Sequence, residues 1–162
     1  MESARPAVAE DLPAVAHLAE AAIAELAPTR GGAVWSRREA RSLPAIDSIA
    51  AAHADPDQLV VVGTIDDSVV GYAAVRVELL RDGGALAVLD DLYVAAEGRG
   101  VGVGEAMMDL VLAWAEERGC IGIDSVALPG NRATKNFFES FGLVARAIVV
   151  HRPLAPGGEG PA

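Results

Sequence analysis

Four glycines at every second position, in Gly98-Arg99-Gly100-Val101-Gly102-Val103-Gly104-Glu105, constrain this chain more than any other feature. A strand-like apolar run, Leu86 to Val94, leads into them. A helical run, Glu105 to Arg118, leads out. With no side chain in the way, the N–H groups here can turn toward one point. That point is a helix N-terminus, where the macrodipole already favours an anion. Such a loop holds a phosphate or pyrophosphate without a metal or a lysine cluster, so a phosphorylated cofactor is expected. Two familiar loops fail residue by residue. The P-loop needs Lys and then Ser or Thr after its last glycine, and here Glu105 and Ala106 follow Gly104. The dinucleotide fingerprint needs glycine at its sixth position. Counted from Gly98, Gly100 or Gly102, that position is Val103, Glu105 or Met107.

A third pattern fits: Arg or Gln, two residues, Gly, one residue, Gly or Ala. It reads Arg99-Gly100-Val101-Gly102-Val103-Gly104. On these residues the chain resembles the GNAT superfamily of N-acetyltransferases. The resemblance implies that Arg99, Gly100, Val101, Gly102, Val103, Gly104 and Glu105 grip the pyrophosphate of acetyl-CoA, used as co-substrate. It implies that backbone groups of Leu92, Tyr93 and Val94 pair with the pantetheine amides as an added strand would. A flexible connector that happens to contain glycines is the plainer alternative for the loop. For Leu92 to Val94 it is simple strand core.

The period of apolar residues gives the rest of the chain. Residues 4 to 9 read as a first strand. Asp11 is a candidate N-cap for a helix from about 12 to 26 that Pro28 stops. Ser36-Arg37-Arg38-Glu39 has capping-box spacing, so a second helix is expected near Arg37. Pro44 breaks it, and Ile46 to His53 adds another turn or two. Gln58 to Ile65, Val69 to Leu80 and Leu86 to Val94 form a meander with turns at Asp66-Asp67-Ser68 and Arg81-Asp82-Gly83-Gly84. After the long helix, whose buried stripe is Met107, Leu110, Val111 and Trp114, come a strand from Ile121 to Leu128 and a helix to about Phe141. A final strand runs from Leu143 to Arg152. The expected fold is α+β, with a mixed, mostly antiparallel sheet and the order β-α-α-β-β-β-α-β-α-β. This matches the GNAT order over residues 4 to 152. The chain divides into one domain, 1-154, and a flexible tail, 155-162.

At 162 residues the chain fits one domain, and at 52% apolar it has ample core material. No apolar run approaches the roughly 20 residues of a membrane span, and Met1 to Pro6 lack the pattern of a signal peptide. A net charge of −10 argues against nucleic acid and against an anionic membrane. It is compatible with a cationic acceptor. The single Cys120 cannot form an internal disulfide, so a cytoplasmic location is expected. Three histidines, His17, His53 and His151, lack metal-ligand spacing, and no metal is expected.

Acetyl transfer needs a base to take a proton from the attacking amine. Asp90 and Asp91 are adjacent on a strand and so are expected on opposite faces. Leu86, Val88, Leu92 and Val94 go with Asp90, and Ala87, Leu89 and Tyr93 with Asp91. A carboxylate in so apolar a strand is costly unless it lines a cleft or is paired. Asp90 is preferred as base over Asp91, and Glu78 is a third candidate. A structural ion pair with Arg76 accounts equally well for any one of them. The helix from Asn131 to Gly142 resembles the family's C-terminal motif, which implies that Asn131 and Asn136 contact the cofactor. Phe138 lies among the cofactor-contacting positions, where family members commonly carry a Tyr that protonates the leaving thiolate. Phe cannot donate a proton, so solvent or Tyr93 would have to. A non-catalytic acyl-CoA-binding module is therefore the alternative to an enzyme. The acceptor, a small-molecule or peptide amine, is left open. A homodimer through the final strand is compatible with the sequence.

Overall fold

A computed structural model describes residues 1–154, and the tail expected at 155–162 lies outside the described residues. Its elements are β1 (Glu2–Pro6), α1 (Leu12–Leu26), α2 (Gly32–Arg38), α3 (Ala45–Ala54), β2 (Gln58–Ile65), β3 (Ser68–Leu79), β4 (Ala85–Val94), α4 (Val103–Glu117), β5 (Ile123–Ser125) and α5 (Arg132–Ser140). One sheet carries the strands in the order β1-β2-β3-β4-β5. The first four are antiparallel and β5 joins β4 in parallel. This is the mixed α+β sheet expected.

Helices cover both faces. On one, Val103, Met107, Met108 and Val111 of α4 and Phe138 of α5 pack on Val61, Ala73, Val75 and Leu89. On the other, Val15, Leu18 and Ala19 of α1 and Ile49 of α3 pack on Val60, Val62 and Tyr72. The stripe of α4 is rotated from the expected one: Val103, Met108 and Ala115 are buried, while Leu110 and Trp114 are half-buried at its margin. The close approach of α4 depends on Gly63 of β2, where an added Cβ would stand 2.4 Å from Val103 Cγ1 and 3.0 Å from Met107 Sδ.

Several boundaries differ from the sequence expectation, each for a local reason. The first strand ends at Pro6. Asp11 does not cap α1 with its side chain. Its carboxylate instead accepts from Arg5 (2.6 and 3.0 Å) and from the Val8 N–H (2.8 Å), tying β1 to the helix start. Helix α2 starts at Gly32 behind Gly31, whose φ of +81° turns the chain. Ser36 is mid-helix, its hydroxyl donating to the Ala33 carbonyl, so the capping-box reading is wrong. Residues 45–54 form a full helix, adding a third helix before β2. β5 is only three residues long. The final strand expected from Leu143 to Arg152 does not form: no residue from 143 to 154 is in regular structure. No helix among the described residues is long and apolar enough to cross a membrane.

Gly63→Ala should destabilise the protein by about 1–3 kcal/mol, because the stiff Val103 side chain has no way to withdraw. The midpoint of urea unfolding measures this. An unchanged midpoint would mean that α4 is not pressed against β2.

Candidate functional site

The site is organised by one extra residue in β4. Across the β3–β4 pair, Ala74 faces Asp91 and Val75 faces Leu89, leaving Asp90 without a partner. This is a β-bulge, and it switches the face to which alternate residues point. Before it, Ala87 and Leu89 pack under α4; after it, Leu92 and Val94 do. The assignment of faces by simple alternation is thereby corrected: Asp90 and Asp91 lie on the same face. Both meet groups of the α1–α3 side, Asp90 through Arg76 and Asp91 through Tyr72 and Arg41.

The two carboxylates have different surroundings. Asp91 is saturated. Arg41 donates from Nη2 (2.7 Å) and Nε (3.1 Å), and the Tyr72 hydroxyl donates at 2.6 Å. The side chains of Arg41 and Asp91 are each only 10% exposed. Burial, and then the Asp91 charge, hold the Tyr72 hydroxyl far above its ordinary value, so it stays a donor. Asp90 keeps one oxygen outside its bond from Arg76 Nε (2.9 Å) and is 25% exposed at the side chain. Its carboxyl is pushed above the ordinary carboxylate value, chiefly by burial. Arg76 opposes the shift, Asp91 adds to it, and Arg41 opposes it in turn. Glu78 is bound by Arg76 at 3.4 Å on the outer part of β3.

Beyond the bulge, β4 and β5 separate. Their pairing covers only Ala87–Leu89 with Ile123–Ser125, and the Ser125 hydroxyl closes it on the Leu89 carbonyl at 3.0 Å. From Asp90 to Val94, β4 has β3 on one side and no strand on the other. At the end of this open edge the chain makes a short 3-10 turn, residues 96–98, and enters the glycine loop. Gly100 and Gly102 have φ of +80° and +95°, which side chains disfavour, and Gly102 is the N-cap of α4. No N–H from Gly100 to Glu105 donates to another described residue. Val103 is buried, so only its backbone is offered. Arg99 turns back: Nε donates to the Val94 carbonyl (2.7 Å), Nη2 binds Glu25 (3.0 and 3.1 Å), and the guanidinium lies 5.4 Å from the Tyr93 ring centre. It pins the loop to β4 and α1. Glu105 occupies the first turn of α4.

The last helix approaches from the other side. Gly104 lets Phe137 come close, an added Cβ there standing 3.2 Å from Phe137 Cε1. Asn131 caps α5 by accepting from the Thr134 N–H at 3.2 Å, so that oxygen is already engaged. Asn136 is exposed. Phe138 is 8% exposed and belongs to the core under α4, edge-on to Phe137. The segment before α5 meets the α1–α2 loop, where Leu26, Thr29, Arg30, Leu128, Pro129 and Asn131 line a cavity of about 420 Å³. Arg41, Glu25 and Tyr72 were not marked by sequence reasoning, since no motif surrounds them. The single available signal was that a buried aspartate in β4 needs a cationic partner.

The chain belongs to the acetyltransferase (GNAT) family, whose profile matches residues 20–143. No curated protein matches it in sequence. Its fold is similar to that of a ribosomal-protein-alanine N-acetyltransferase from Brucella melitensis biovar Abortus 2308, with TM-score 0.68 and 17% identity over 96% of this chain and all of that one. A transcriptional regulator from Bacillus halodurans C-125 aligns with TM-score 0.70 and 20% identity, covering 95% and 100%. AAC(6')-Iy, in complex with a CoA-S-monomethyl-acetylneamine bisubstrate analog, aligns with TM-score 0.68 and 14% identity, covering 96% and 99%. At these identities the likeness concerns the fold.

Breaking the buried pair by Arg41→Ala should cost about 3–5 kcal/mol, because it strands the Asp91 charge. Arg76→Ala removes a partner of the more exposed Asp90 and should cost under about 1 kcal/mol. Denaturant midpoints compare the two directly. Equal losses would contradict the assignment of Asp91 as the structural carboxylate.

Proposed function

We propose that the protein transfers an acetyl group from acetyl-CoA to a primary amine by direct attack, with Asp90 as general base. The observation that carries the assignment is the bulge, which leaves Asp90 with a free oxygen beside the open edge of β4 and locks Asp91 away. The N–H groups of Gly100 to Glu105 receive the pyrophosphate at the N-terminus of α4. The edge of Leu92 to Val94 pairs with the pantetheine arm, and a backbone N–H there polarises the thioester carbonyl. The amine nitrogen bonds to the acyl carbon, its proton passes to Asp90 directly or through water, and the carbon–sulfur bond breaks. A thiol has an ordinary pKa of about 8.5, so the thiolate leaves without a strong acid. Solvent or Tyr93 supplies its proton. Burial and Glu25 raise the Tyr93 hydroxyl, which therefore remains protonated.

Asp90 must be ionised to act, and its carboxyl is raised. Activity should therefore fall as pH drops through a value above the ordinary carboxylate range of about 4. Asp90→Asn should lower kcat by about 10²–10⁴-fold and abolish that acidic limb. Linkage gives the sign for stability. The neutral form of Asp90 contributes stability that is present below the ordinary carboxylate pKa. That stability is lost as pH rises through the raised one. At neutral pH the Asn variant should therefore be no less stable than the wild type. The assay is release of free CoA from acetyl-CoA across a panel of amines. The burial of Phe138, with no hydroxyl at that position, favours a second reading, a non-catalytic acyl-CoA-binding module. Saturable acetyl-CoA binding with no turnover on any amine would select it.

A further inference from the structure

Carboxylates are in excess in this chain, 23 acidic residues against 13 basic ones. Arg5, Arg41, Arg76, Arg99, Arg118 and Arg146 each hold one. Arg30 holds none and makes no side-chain hydrogen bond among the described residues. The acid nearest to it along the end of α1, Glu25, is already taken by Arg99. Arg30 instead lines the cavity of about 420 Å³ between the α1–α2 loop and the segment before α5. The backbone that carries it is fixed there. Gly31 rests against that segment, an added Cβ standing 3.2 Å from Pro129 Cδ.

The polar groups around this cavity are unbalanced toward donors. Its acceptors are occupied from within the chain. The Leu26 carbonyl accepts from the Thr29 N–H (3.0 Å) and the Thr29 hydroxyl (2.6 Å). The Leu128 carbonyl accepts from the Asn131 N–H (3.3 Å), and the Gly130 carbonyl from the Arg132 N–H (3.1 Å). Asn131 Oδ1 accepts from the Thr134 N–H. The Arg30 guanidinium, the Gly130 N–H and the Asn131 side-chain amide have no acceptor among the described residues. No acidic side chain lines the cavity, and Leu26, Leu128 and Pro129 make the rest of its wall apolar.

We propose that the acceptor is an amine that also carries one carboxylate on an apolar body, and that Arg30 binds the carboxylate. A guanidinium presents parallel donors that match the two oxygens of a carboxylate. One unpaired cation balances one negative charge. A phosphate, close to doubly charged at neutral pH, would be under-compensated in a chain of net charge −10. Leu26, Leu128 and Pro129 cover the apolar body, as the walls of small-molecule sites do. The cavity also lies on the side of the open edge of β4. Leu26 follows Glu25, which holds Arg99 and through it the Val94 carbonyl at the end of that edge. For the amine the inference rests on the acetyl-transfer reading, and for the carboxylate it rests on the cavity alone.

Calorimetric titration of the full chain, with and without CoA, tests this with leucine, phenylalanine and straight-chain ω-amino acids, each against its own carboxamide. At least one acid should bind about tenfold or more tighter than its amide. Arg30→Gln should bring that acid down to the affinity of the amide, and Arg30→Lys should restore part of the gap. Arg30 is exposed, so both variants should keep the wild-type circular dichroism. Release of CoA from acetyl-CoA with the same panel separates this inference from the reading it rests on. Acid-selective, Arg30-dependent binding without CoA release would sink the transfer reading and leave the carboxylate site standing. Release at equal KM from acids and amides would leave transfer standing and overturn the site. So would acids and amides binding alike, binding of neither, or an Arg30→Gln loss shared equally by both.

Discussion

The site depends on one unpaired residue in the middle of a sheet. Had β4 continued in regular register through Asp90, its two aspartates would point to opposite faces, one of them into the apolar layer under α4. The bulge turns both toward the α1–α3 side. There Arg41 and Tyr72 neutralise Asp91, and Asp90 is left with a single arginine contact. The same disturbance coincides with the end of β4–β5 pairing at Leu89 and Ser125. A carboxylate in a partly desolvated setting and an open backbone edge thus lie side by side at one local irregularity.

The second constraint is the distance at which α4 lies from the sheet. Gly63 and Gly71 remove side chains where Val103 and Met107 press in. This fixes the helix N-terminus at the end of the open edge of β4. The chain carries a net charge of −10, so its overall field does not attract an anion. On the proposed reading attraction has to be local, supplied by the backbone N–H groups of Gly100 to Glu105 within a helical turn, where the dipole is strongest. Arg99 contributes by holding the loop to Val94 and Glu25, a role for its charge in positioning the loop.

Much of this was legible in the residues. The spans of α1, β2 and β4 follow from period and punctuation, because α1 turns one stripe to a single apolar layer and the strands send alternate residues into the two layers; α4 starts at Val103, two residues before the expected Glu105. The glycine loop was legible because its left-handed positions admit little else. The bulge was not: a one-residue slip leaves no compositional mark, and alternation therefore assigned the aspartates to opposite faces. Arg41 was equally hidden, since it meets Asp91 across 50 residues of sequence. The Leu143–Arg152 segment reads as a strand by β-propensity, but propensity does not supply a partner, and its own sheet does not pair with it. The motif that implies a cofactor contact for Asn131 gives no sign that its oxygen also caps α5.

Amide hydrogen exchange with and without acetyl-CoA tests the central claim most directly, because the claim concerns backbone N–H groups. If the open edge and the glycine loop receive the cofactor, amides of Leu92 to Val94 and of Gly100 to Glu105 should slow together on addition of acetyl-CoA. Those of β1 should be unaffected. Protection confined to other segments, or none at saturating acetyl-CoA, would contradict the account.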